Sequence, residues 1–112
     1  YDVKDAFLGV LSRMSEILDL DVSFDRDDIW NSPAYIGENG YGYCSKAGNE
    51  ALRLMATKEG IILDPIYTGK ALSGLIDLVK QGEISSEESV VFLHTGGTPA
   101  LFAYTEELLA RG

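Results

Sequence analysis

A chain of 112 residues with 46% apolar and 24% charged content is long enough to close one hydrophobic core and too apolar to remain disordered. Its 18 acidic residues against 9 basic ones leave a net charge of −9, and no Lys/Arg cluster interrupts them, so neither nucleic acid nor an anionic membrane surface is the expected partner. No apolar run approaches the roughly 18 to 20 residues of a bilayer span, no signal segment opens the sequence, and the single cysteine, Cys44, cannot form an internal disulfide; a cytoplasmic protein is the expectation.

Val3, Ala6, Phe7, Val10, Leu11, Met14, Ile17 and Leu18 recur at three- and four-residue intervals and predict a helix ending near Asp19. Residues 21–25 read as a short strand. Residues 29–40, crowded with Asn, Ser, Pro and Gly, read as a loop. A second helix is expected from about Ser45, with Ala51, Leu52, Leu54, Met55 and Ala56 inward and Gly60 as its stop. Ile61-Ile62-Leu63 follows as a buried strand. A third helix runs from about Thr68 to Lys80 with Gly82 beyond it, and residues 83–89 form a polar connection. Val90-Val91-Phe92-Leu93 is the strongest strand pattern of the chain, and Thr98 and Pro99 fit the N-cap and first position of a last helix.

This order of helices and short strands predicts an α/β fold, a small parallel or mixed sheet flanked by helices. Three strands make a meagre sheet. Together with Tyr1 in place of a starting Met, this leads us to expect that residues 1–112 are a single partial domain whose open edges and helix faces need further chain or a partner subunit.

The residues able to carry chemistry gather at element ends. Tyr67 and Thr68 follow Asp64-Pro65 and precede an apolar helix, which suits a site, although Asp64 and Thr68 are equally good residues for making the turn and capping the helix. Thr95 ends the Val90–Leu93 run, with Gly96-Gly97 leaving room for a ligand or for a tight turn. Tyr41, within Gly40-Tyr41-Gly42-Tyr43, lies in a loop where it either lines a site or packs on the surface. His94 has no carboxylate spaced to orient it, Cys44 has neither a base nor a second thiol near it, and one His with one Cys does not make a zinc site; no metal is expected. None of the five lysines, Lys70 included, has the context of a desolvated Schiff-base site.

Three segments, Gly40-Tyr41-Gly42, Asp64-Pro65-Ile66-Tyr67-Thr68-Gly69-Lys70 and His94-Thr95-Gly96-Gly97-Thr98-Pro99, resemble in order and spacing the C-terminal part of the pyridoxal-phosphate enzymes of the tryptophan-synthase-β-like fold. Within that fold the likeness is to the D-cysteine desulfhydrase and 1-aminocyclopropane-1-carboxylate (ACC) deaminase family, over about Asp25 to Tyr104. The resemblance implies part of the large domain of such an enzyme, with pyridoxal 5′-phosphate as cofactor, a small amino acid as substrate and a homodimer as assembly. It implies that Tyr67 and Tyr41 face the substrate as catalytic residues, and that Thr68 and Thr95 bind the cofactor near its pyridine nitrogen.

The position of Thr68 discriminates within that family. ACC deaminases carry Glu there, whose carboxylate holds the nitrogen protonated; a threonine hydroxyl is neutral and gives a weaker electron sink. Expelling a thiol demands less of that sink than opening a cyclopropane, so Thr68 implies D-cysteine desulfhydrase, giving pyruvate, ammonia and sulfide. The segment expected to hold the cofactor's lysine, its neighbouring asparagine and the phosphate loop has no counterpart here. The chain by itself is therefore expected to be inactive. The rival expectations are an ACC deaminase and, in another class, a non-catalytic folding or interaction fragment.

Overall fold

A computed structural model of the chain describes residues 2–110. These residues fall into two compact units, one ending at Pro33 and one beginning at Ala34.

The first unit is organised by α1, Val3–Leu18. The first N–H groups of a helix have no partner inside it, and the Asp2 carboxylate accepts those of Lys4 and Asp5 at 2.9 and 3.3 Å. At the other end Asp19 adopts a left-handed conformation, φ 51°, and returns its N–H to Ser15 and Glu16. Arg26 comes back to the start of the helix, where it pairs with Asp2 at 2.9 Å and with Asp5. These pairs are solvent-exposed and direct the chain more than they stabilise it. The expected apolar stripe is present, but no residue of α1 is buried, and Phe7, Val10, Met14 and Ile17 are exposed.

In the second unit α2, Lys46–Glu59, and α3, Thr68–Gln81, pack against each other. Ser45 caps α2 by accepting the Gly48 N–H at 3.1 Å, and Gly60 and Gly82 end the two helices in left-handed conformations. The helices approach closely because bare glycines meet there: a Cβ on Gly69 would stand 2.7 Å from the Asp64 carbonyl oxygen and 3.1 Å from that of Gly48. Beyond this point Ala51, Leu52, Leu63 and Leu72 form the buried core, flanked by Met55, Leu75, Ile76, Phe92, Leu101 and Leu108. Each buried leucine contributes about 2 kcal/mol by leaving water.

The α/β expectation is overturned. Among the described residues there is no strand at 21–25, at Ile61-Ile62-Leu63 or at Val90–Leu93, and no sheet; the regular elements are α-helices and short 3-10 turns. A strand exists only where a neighbour supplies the other half of its hydrogen-bond ladder, and β-branched composition speaks only to the residue's own backbone. The two best apolar runs are not paired. Where a ladder would run, a side chain stands instead: His94 Nε2 donates to the Ile62 carbonyl at 2.9 Å, and the Gly96 N–H donates to His94 Nδ1 at 3.1 Å. Leu63 is fully buried, whereas Ile61, Ile62, Val91 and Leu93 are exposed.

The last predicted helix is also different. Thr98–Phe102 is a 3-10 turn whose cap is Gly97, and a separate short helix, α4, follows at Thr105–Leu109. No helix of the described residues is long and apolar enough to cross a membrane.

Candidate active site

The centre of the site is a carboxylate. Asp64 is fully buried, and Pro65 after it fixes the chain into a turn that folds the next three residues back over the side chain. Oδ1 accepts the N–H groups of Ile66 and Tyr67 at 2.9 and 2.7 Å; Oδ2 accepts the N–H and the hydroxyl of Thr68 at 2.8 and 2.6 Å. The residue before α3, Tyr67, gives no side-chain cap, because Asp64 has taken that task from further back. Burial by itself would push the Asp64 carboxyl up, but these hydrogen bonds, led by the Thr68 hydroxyl, outweigh it and hold the group below the usual carboxylate range.

Thr68 is 2% exposed, and its hydroxyl is nearly spent. It donates its one proton to Asp64 Oδ2 and accepts the Asp64 N–H at 2.8 Å, which leaves a single lone pair. The turn-and-cap role that the sequence left open for Asp64 and Thr68 is thus present in the structure.

The Asp64 carboxylate also joins two motifs. Gly97 has φ +86°, and a Cβ there would stand 2.8 Å from the Asp64 carboxyl carbon, so the His94–Pro99 segment passes directly against the Asp64–Lys70 turn. Thr95, two residues before Gly97, is exposed, with no hydrogen bond to its hydroxyl among the described residues.

The third motif is brought in through a phenol. The hydroxyls of Tyr41 and Tyr67 hydrogen-bond to each other, with ring centroids 6.1 Å apart and ring planes inclined by 59°. Both side chains are exposed. Their hydrogen bond raises the Tyr67 phenol above its ordinary value, with partial burial and the nearby Asp64 charge acting in the same direction. Tyr104 donates to the Gly42 carbonyl at 2.7 Å and ties down the tip of the Tyr41 loop. Tyr43 is exposed. The partly buried Cys44 thiol is pushed up by burial and by the Glu107 charge, against the pull of Lys70, which is the condition of an unreactive thiol.

The four candidate residues therefore divide. Tyr41 and Tyr67 touch; Thr68 sits one residue on, turned inward to Asp64; Thr95 lies on the neighbouring segment, facing outward. Two residues were undervalued by sequence. Asp64 reads from the sequence as a turn former and helix cap and not as part of the site, although an Asp-Pro followed at the fourth position by Thr is the pattern of a carboxylate that gathers successive N–H groups and a hydroxyl. Lys70 proves to be the one buried lysine, its ammonium donating to the Ile36 carbonyl, and nothing in the local sequence marked it.

Against pyridoxal phosphate, the cofactor the resemblance implies, the donor set fits on its ring side. The phenols of Tyr41 and Tyr67 and the exposed hydroxyl of Thr95 are neutral hydrogen-bonding groups open to a ligand, with open space at Gly96 beside Thr95. Lys70, committed to Ile36, is not placed to carry a cofactor.

The family model for pyridoxal-phosphate dependent enzymes matches residues 17–96. D-cysteine desulfhydrases of Salmonella newport (strain SL254) and Salmonella heidelberg (strain SL476) are each 54% identical over 65 residues, 58% of this chain and 20% of theirs. The chain thus spans about a fifth of the length of the curated relatives it matches. Among solved structures, one described as an ACC deaminase homologue superposes with a TM-score of 0.73 at 35% identity, covering 98% of this chain and 32% of that one. With more than half its residues matched by the family model, and with relatives and a structural neighbour from one branch of it, the chain belongs to the pyridoxal-phosphate dependent enzyme family of D-cysteine desulfhydrase and ACC deaminase.

Proposed function

We propose that these residues are a C-terminal segment of a cytoplasmic, homodimeric D-cysteine desulfhydrase, contributing the substrate-facing tyrosines and the hydroxyls at the cofactor's ring nitrogen. One observation carries the reading: Thr68, the residue after Tyr67 of the phenol pair, hydrogen-bonds to the buried Asp64 carboxylate, at the position where the family resemblance gives ACC deaminases a Glu. When bound, pyridoxal phosphate draws electrons away from the substrate's Cα. The work of this chain is to orient and to hold protons. Thr95 offers the ring nitrogen a hydroxyl that can donate or accept. Thr68, its proton given to Asp64, can only accept, and its neutral oxygen holds a proton on the ring nitrogen less firmly than the carboxylate of a Glu would.

Tyr67 and Tyr41 share one hydrogen bond between two hydroxyls, leaving the pair a second proton for the substrate side. That proton is suited to the departing sulfur. The reaction takes cysteine and water to pyruvate, ammonia and hydrogen sulfide, with no external oxidant or reductant. By itself the 112-residue chain is inactive in this reading, because the cofactor's lysine and phosphate contacts come from elsewhere.

The second reading, an ACC deaminase, is favoured by the likeness of the backbone to the solved ACC deaminase homologue. The complete enzyme carrying this segment separates the two: release of sulfide from D-cysteine is expected, and consumption of 1-aminocyclopropane-1-carboxylate without sulfide release would establish the second reading instead. Thr68→Glu is expected to lower desulfhydrase activity by more than about tenfold, roughly 1.4 kcal/mol in the barrier, while Thr68→Ser keeps most of it. A Glu variant as active as the parent would reduce Thr68 to a partner of the Asp64 turn with no part at the ring nitrogen.

A further inference from the structure

The loop of residues 37–44 carries Tyr41, and both of its ends meet at one side chain. Lys70 is 6% exposed, and its ammonium donates to the carbonyl of Ile36, the residue immediately before the loop. Its stem crosses to the other end: a Cβ on Gly48, in the first turn of α2, would stand 3.1 Å from Lys70 Cγ. The two ends are themselves in contact, since a Cβ on Gly37 would lie 3.0 Å from Ser45 Cβ and 3.9 Å from Lys70 Nζ. Lys70 is also three residues after Tyr67, at the start of the same helix.

An ammonium buried against a neutral carbonyl is a costly choice where an unbranched apolar side chain would fill the same space. What lysine adds is a directed donor at the base of the loop. We propose that Lys70 is a positioning residue that clasps both ends of the 37–44 loop and so sets the Tyr41 hydroxyl against that of Tyr67. This rests on the reading that the two phenols line the substrate side of the enzyme.

The 112-residue chain itself supplies the test, through the phenolate absorbance of Tyr67 followed against pH and assigned with Tyr67→Phe. The groups facing Tyr67 are Tyr41, Asp64 and Tyr104; the Lys70 charge also acts on Cys44, which Glu107 faces as well. Tyr41→Phe removes the shared hydrogen bond and gives the full downward shift of the Tyr67 titration. Lys70→Met, similar in length and without the donor, is expected to reproduce most of that downward shift with the helical circular dichroism unchanged, and Lys70→Arg to restore the parental titration. The direction is diagnostic, because deleting a cation acts through charge alone to raise a neighbouring phenol. A Lys70→Met chain whose Tyr67 titrates as in the parent, or higher, overturns the proposal. So does loss of the fold in both Lys70→Met and Lys70→Arg, since Lys70 would then hold the core and not the loop. No cofactor or substrate enters this measurement, so its failure leaves the sulfide assay to judge the enzyme assignment separately.

Discussion

Asp64 shows how a single buried charge can organise a site. Unpaired, a fully buried carboxylate costs several kcal/mol; here it takes three backbone N–H groups and a hydroxyl, and the depressed titration records that compensation. Because the folded carboxyl titrates below its unfolded value near 3.9, its contribution to stability is present above that pH and is lost as the pH falls through the folded value. Asp64→Asn keeps one acceptor but turns an amide N–H toward the N–H and hydroxyl of Thr68. We expect a loss of about 1–3 kcal/mol at neutral pH, the range for leaving buried polar groups unpaired. We also expect a shallower loss of stability in acid than the parent shows. Urea unfolding at neutral and acidic pH tests both, and an Asn variant with the parental pH dependence would mean that other carboxylates carry the acid transition. None of this was legible from Asp64 alone. Tyr41, Tyr67 and Thr68 could be singled out from their motifs, but the partner that consumes the Thr68 proton lies four residues back, reached by a turn whose conformation only the fold settles.

At the level of elements, the three long helices were legible because each writes its own signals locally: an apolar period near 3.6, Ser45 before α2, and Gly60 and Gly82 after α2 and α3. The apolar runs at 61–63 and 90–93 carry an equally local signal for extended backbone, but not for a partner strand, and there the α/β expectation failed. What joins the segments is contact at glycine. Gly96 and Gly97 both have positive φ, +95° and +86°, yet a Cβ on Gly96 would meet open space while one on Gly97 would strike the Asp64 carboxylate. Gly96→Ala should therefore cost only the left-handed backbone penalty, about 1–2 kcal/mol. Gly97→Ala should cost that and a further 1 kcal/mol or so as the segment is pushed off Asp64. Equal losses for the two variants in denaturant unfolding would show that the approach to Asp64 contributes nothing to stability.

The whole chain combines exposed apolar surface with a strong net charge, and the two act against each other. Val91, Leu93, Phe102 and Leu109 are each more than 70% exposed, and α1 leaves its stripe uncovered, whereas single scattered apolar residues are what a monomer ordinarily shows. Burial of such surface drives association; a charge of −9 on each copy opposes it at long range. Salt screens the second effect, shortening its reach to about 8 Å at physiological ionic strength, and leaves the first intact. The chain is accordingly expected to bind a hydrophobic dye and to associate as its concentration rises, more readily at high than at low ionic strength. Sedimentation over a concentration series at two salt levels measures this. Association that weakens with added salt would point to ion pairs between copies in place of apolar contact, and a dye-silent monomer throughout would mean that these side chains are covered within the chain in solution.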